Sequence, residues 1–181
     1  MTGLPEEKRS AAVRGLPGHD FGPLLAKPEA AAIDANRKAA LFNYVGIGTV
    51  DGKFLEAVMV GLATRKPAPS LTEIDLNKRG FLSFVFDGRY KFGRFYAPNA
   101  FNVPKTLEQI FTYNDVQLFD LKEDPDEVRN LALDPEKNRE TILRMNELLN
   151  DLMAREVGVN DGKFLPEVVR PKKPPLTFKE P

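Results

Sequence analysis

The chain contains no cysteine and a single histidine, His19. Without thiols there is no disulfide framework, no thiolate nucleophile and no zinc–thiolate site, and redox conditions leave the chain unaffected. One imidazole excludes constellations that need two, most zinc centres among them. Net charge is also lacking, because 26 Lys and Arg offset 26 Asp and Glu. No bulk field therefore draws the chain to nucleic acid or to an anionic membrane surface. Apolar runs are short, of the Phe81–Phe86 kind, against the roughly 18 residues that a membrane span requires. Met1–Arg9 is charged, with no apolar stretch behind it, so no signal peptide is expected.

What is present is the composition of a soluble globular protein. Of 181 residues, 42% are apolar and 29% charged. That length suits one domain, able to bury about 70% of its unfolded surface. Up to Pro28 the chain is punctuated by Pro5, Gly15, Pro17, Gly18, Gly22 and Pro23, a density of breakers that leaves room for short turns only. Phe21, Leu24 and Leu25 suggest one helical turn. Residues 28–40 are alanine-rich and helix-permissive, and Leu41–Ile47 reads as a strand. Phe54–Leu62 fits either a short buried helix or a strand.

The clearest local signal is Phe81–Phe86, then Asp87-Gly88, then Arg89–Tyr96. Asp-Gly between two β-prone runs predicts a two-residue hairpin of type I′, with Gly88 at positive φ. Alternation sets Arg89, Lys91 and Phe95 on one face of the second strand, and Tyr90, Phe92, Arg94 and Tyr96 on the other. Phe81–Phe86 is apolar on both faces and is expected to be the more central strand. A helical turn at Thr106–Thr112 and a strand at Val116–Leu121 follow. Asp124-Pro125 and Asp134-Pro135 each read as N-cap plus first helical residue. The second opens a long helix with Ile142, Met145, Leu148, Leu149, Leu152 and Met153 at helical spacing, and Gly158 as its stop. The expected fold is α+β, an antiparallel sheet of about four strands with a long C-terminal helix packed on one face. It spans residues 1–165, and a Pro/Lys-rich extended tail occupies 166–181.

Three passages, in order, resemble the C-terminal subdomain of sulfatases, in particular bacterial arylsulfatase-like and choline-sulfatase-like enzymes. Leu16–Leu25 (Leu-Pro-Gly-His-Asp-Phe-Gly-Pro-Leu-Leu) is similar to the loop that follows the family's catalytic core, and Thr2–Pro5 to the tail of the helix before it. Phe86–Phe92 resembles the family's hairpin. Most specific is Gln117–Leu131, which includes Asp120, Leu121, Asp124, Pro125, Glu127, Asn130 and Leu131. It is similar to the family's Glu-Leu-Tyr-Asp-Leu-x-x-Asp-Pro-x-Glu-x-x-Asn-Leu run, with Gln117 and Phe119 in place of Glu and Tyr. The resemblance covers most of the chain, from Thr2 to about Pro166. Read from its residues alone, the Gln117–Leu131 run is punctuation: Asp124 caps a turn, Glu127 lies in that first helical turn, and Asn130 suits a reversal. Its acids lack the alternating ligands and glycine of a calcium loop.

The resemblance implies a sulfuric ester hydrolase whose formylglycine comes from a Cys/Ser-x-Pro-x-Arg motif, beside calcium or another divalent cation. Hydrolysis needs that nucleophile and converging positive charge. Here Ser10, Ser70 and Ser83 stand outside any such motif, and no Asp-Asp or Asp-Asn pair seats a cation. The family's catalytic pieces are expected to precede this region. Its implied partner is then an N-terminal catalytic core or, in place of one, a second copy in a homodimer. No residue here is a catalytic, cofactor or metal candidate by resemblance. His19 beside Asp20 suits a loop histidine better than a general base, because adjacent residues in an extended loop point apart. Arg89, Lys91 and Arg94 are the candidates for contact with a sulfated substrate, against their alternative use as charges defending a hairpin edge. Phe101, Phe111 and Tyr113 are candidates to line a cleft. The second functional reading is a free-standing, non-catalytic binding or oligomerisation module.

The purified chain is expected to show no arylsulfatase activity, with or without calcium and with or without a formylglycine-generating enzyme. Turnover of an aryl sulfate above the uncatalysed rate, abolished by a substitution in this chain, would overturn that expectation.

Overall fold

A computed structural model describes residues 5–12, 14, 21–32, 35, 37–100, 103–158 and 165–170. The chain divides into two compact units, Met1–Ala39 and Ala40–Pro181. In the first lie two short helices, α1 (Glu6–Ala12) and α2 (Gly22–Ala26), and a 3-10 turn at Pro28–Ala30, none of which buries a residue. The breakers read in this stretch account for their brevity. The tail beyond Arg170 lies outside the described residues, as do His19 and Asp20.

The second unit is the α+β fold. Its four strands are β1 (Ala40–Tyr44), β2 (Phe81–Phe86), β3 (Tyr90–Tyr96) and β4 (Asn114–Asp120), antiparallel throughout and in the order β1-β2-β3-β4. Both β2 and β3 are therefore central. In register, Leu41, Val85, Phe92 and Leu118 form one row across the sheet, and Asn43, Ser83, Arg94 and Val116 the next. Phe81, Ser83, Val85, Phe92, Arg94, Tyr96 and Leu118 are buried on this face. Helix α5 (Arg139–Leu152) covers it, burying Ile142, Met145, Asn146, Leu149 and Leu152 at helical spacing. The helix runs on as a π turn, Met153–Val157, and stops at Gly158, whose φ of 103° suits glycine.

Phe54–Leu62, open between helix and strand in sequence, lies in helix α3 (Gly52–Thr64). Asp51 caps it, accepting from the Lys53 and Phe54 amides, and Arg65 ends it at a left-handed φ of 55°. Phe54 joins Val50, Ile74, Phe81, Tyr96 and Leu165 in a second part of the core. The Phe81 and Tyr96 rings meet edge to face there, 6.1 Å apart. Helix α4 (Leu107–Tyr113) is held by a capping box between Thr106 and Gln109 and buries Leu107 and Ile110. Among the described residues no helix is long and apolar enough to cross a membrane.

Three local expectations are corrected. The hairpin pairs Phe86 with Lys91, and the Asp87 amide donates to the Tyr90 carbonyl, so the loop residues are Gly88 and Arg89. Only Gly88 has positive φ, at 99°, whereas type I′ requires it at both positions. The shift arises because the Asp87 carboxylate accepts from the Arg89 and Tyr90 amides and so becomes part of the turn. At Asp124-Pro125 no helix starts. The Asp124 carboxylate reaches past the first turn to the Val128 and Arg129 amides, and Glu127 takes a left-handed φ of 54°. After Asp134-Pro135 there is a turn, and α5 begins only at Arg139. Asn138 precedes it without a side-chain cap bond, its Nδ2 donating back to the Leu131 and Asp134 carbonyls.

Replacing Gly88 with valine should cost about 1–3 kcal/mol, since a β-branched residue resists positive φ. A melting temperature for Gly88→Val equal to that of the parent would show that the turn does not depend on Gly88.

Candidate functional site

The three cations proposed from sequence do not converge. Arg89 reaches across to β4 and grips Asp120 with two donors, Nε at 3.0 Å and Nη2 at 2.6 Å. That bond holds the Asp120 carboxyl below its ordinary range and the guanidinium above its own. Lys91 donates to both carboxylate oxygens of Glu127, at 2.9 and 2.6 Å, and stands 5.5 Å from the Phe84 ring centre. The left-handed backbone at Glu127 belongs to the turn that carries this acid. Arg94 lies on the opposite face of β3, inside the core and only 5% exposed. A surface patch of all three is thus precluded by strand alternation.

Around the turn the charges are mutually paired. Arg144, from α5, donates to Asp87 at 2.8 Å. Burial pushes the Asp87 carboxyl up, but the amides of Tyr90 and Arg89 and the Arg144 guanidinium outweigh it, and the net shift is downward. The Tyr90 ring has the Arg89 guanidinium 4.9 Å from its centre and that of Arg144 at 5.5 Å. Such contacts hold the hairpin to α5.

The cleft expected from aromatic residues is only partly formed. Phe111 lines an open depression of about 430 Å³ between the starts of α4 and α5, together with Leu107, Glu108, Pro135, Glu136 and Arg139. Tyr113 stands outside it, and Phe101 lies outside the described residues. Its one cation, Arg139, is paired with Glu136 at 3.2 Å. With Glu108 also on the rim, this surface does not concentrate positive charge for a sulfate ester.

Compared with known protein families and with curated proteins, the chain matches none. Function has to be argued from the sheet itself. The face turned away from α5 carries Phe42 and Tyr44 from β1, Leu82, Phe84 and Phe86 from β2, and Phe95 from β3. Phe42 is 58% exposed and Tyr44 41%, and Leu82, Phe84, Phe86 and Phe95 are only half-buried. Phe84 and Phe95 pack edge to face at 5.6 Å. Phe84 can lie flat over β3 because its cross-strand partner is Gly93; any β-carbon there would run into the ring. Separately, helix α3 exposes Leu55, Met59, Val60 and Leu62, so that helix is apolar nearly all round.

The resemblance also implies a divalent cation. Among the described residues no group of three or more His, Asp or Glu side chains is arranged to hold a metal ion. Asp51, Asp87, Asp115, Asp120 and Glu127 are each engaged by a Lys or Arg. Those five carboxylates, each in an ion pair, do not fit a metal.

Sequence reading missed two of these features, although each left a signal. Asp51-Gly52-Lys53-Phe54 is the N-cap pattern that would have settled α3 as a helix. Arg94 is in phase with Phe92 and Tyr96, the phase of the buried face.

Asp51 provides an electrostatic test of this region. Its buried carboxylate accepts from Lys78 first of all, and also from the amides of Asp75, Phe54 and Lys53. These hold its pKa down to about 2. A free aspartate titrates near 4, roughly. The folded-state pKa is depressed, so the stabilisation is complete above about pH 4 and is lost as pH falls through about 2. Asp51→Asn keeps a good cap but removes the charge. It should unfold at lower urea than the parent at pH 7, with the gap closing between pH 4 and 2, roughly that window. A gap that does not vary with pH would show that the carboxylate charge contributes nothing.

Proposed function

We propose that this chain is a C-terminal structural part of a sulfatase, an arylsulfatase-like sulfuric ester hydrolase, that packs on the family's catalytic core and is not catalytic alone. The observation that carries this reading is the partly exposed aromatic face of the sheet, with Phe42 and Tyr44 the most open. One helix shields one face of a four-stranded sheet, and here α5 lies over the two central strands of that face. The other face presents Phe42, Tyr44, Phe84 and Phe95, a composition suited to burial against a larger body. Family and order of motifs are supported by the Gln117–Leu131 run. Its Asn130 accepts from the Leu118 and Ala132 amides and donates to the Val116 carbonyl, closing the outer side of β4. In this reading Arg89 and Lys91 brace the hairpin and contact a sulfated substrate only at its periphery.

A second reading, the non-catalytic module that pairs with its own copy, is favoured by β1. Ala40–Tyr44 is an edge strand without charge or proline, bearing two exposed aromatic rings. Edges of that kind invite another strand.

Light scattering of the chain alone over a concentration series, with a hydrophobic dye, separates these outcomes. Self-association or dye binding is expected for the chain alone. Addition of a sulfatase core bearing the Cys/Ser-x-Pro-x-Arg motif should give a heteromeric complex and displace the dye. A stable two-fold dimer that ignores the core would favour the second reading. A monomer at every concentration that binds no dye would sink both.

A further inference from the structure

Arg94 is a buried cation that neither reading uses. Its Nη1 donates to Asn146 Oδ1 at 2.8 Å, and Asn146 Nδ2 donates onward to the Pro104 carbonyl at 2.7 Å. The Arg94 Nε is buried with no hydrogen-bond partner. No carboxylate among the described residues pairs with this guanidinium; the acids of the sheet and its turns are spent on Lys78, Arg79, Arg89, Lys91 and Arg144. A buried charge left without a counter-charge is strongly destabilising unless something offsets it.

The neighbourhood is polar but neutral. Ser83, the cross-strand partner of Arg94, donates to Asn43 at 2.7 Å and lies 3.4 Å from the Tyr96 hydroxyl. Hydroxyls and an N–H are in supply there; the group in deficit is a negatively charged acceptor. Phe92, Met145 and Leu149 are fully buried around the same layer. In packing of that order a monatomic ion needs the smallest displacement of its neighbours, and a carboxylate or phosphate ligand needs more. Water would satisfy Nε but leave the charge uncompensated.

We propose that Arg94 binds a small monovalent inorganic anion of the halide class, chloride in practice, between the sheet and α5. The ion accepts from Nε–H and offsets the guanidinium charge, so α5 docks on a neutral pair.

The test is urea unfolding of the full chain at constant ionic strength, in sodium chloride against sodium gluconate, whose anion is too large to enter. An ion bound only by the folded state raises the folding equilibrium constant about tenfold at a chloride concentration about nine times its Kd. The parent should show that gain, and Arg94→Met, which removes the charge at similar length, should not. If Arg94→Met does not fold, crystals of the parent grown in bromide decide the matter, with an anomalous peak expected within hydrogen-bond reach of Nε. Equal parent stability in the two salts would overturn the proposal, as would a chloride gain shared by Arg94→Met. So would bromide found only at the surface, with water on Nε.

Discussion

Arg94 on β3 and Asn146 on α5 meet in a buried side-chain hydrogen bond between the sheet and its helix. Each interrupts an otherwise apolar row, Phe92–Tyr96 on the strand and Ile142–Leu149 on the helix. Apolar packing alone tolerates sliding, because one leucine resembles the next. A polar pair does not, since moving α5 by a turn would leave both partners buried and unsatisfied. The same Asn146, with Asn150, holds the Pro104 carbonyl and so fixes the loop that leads into α4. The placement of the sheet, α5 and the loop into α4 follows from that crossing point.

Once α5 is committed to this face, the other is left to aromatic residues. Gly93 is the concession that allows Phe84 to lie against β3, and Phe95 braces it edge to face. Charge is confined to the margins, with Lys91–Glu127 and Arg89–Asp120 near the turn and Arg79–Asp115 at the far end of β4. That face is apolar in the middle and internally paired at its edge. The functional reading thus rests on surface completion, and the cations singled out in sequence become parts of the scaffold.

The strands, the Phe81–Tyr96 hairpin and the stripe of α5 were legible because alternation and helical spacing act within a few residues. Gly158 as a stop was legible for the same reason. The helix start at Asp124-Pro125 was misread because a capping residue is defined by which amides its side chain meets, and at Asp134-Pro135 a capped turn intervenes before α5. Asp124 meets those of Val128 and Arg129, and Asn138 is drawn back to Leu131.

The order of elements, the α+β class and the two phases of β3 were determined by the sequence itself, through local geometry. Tertiary structure decided the partners of the three cations. Arg89 and Lys91 found carboxylates on β4 and in the turn after it, 31 and 36 residues away. Arg94 found an amide 52 residues away and no carboxylate. Charge pairing across such distances depends on where the backbone brings Asp120, Glu127 and Asn146. No spacing rule along the chain encodes that.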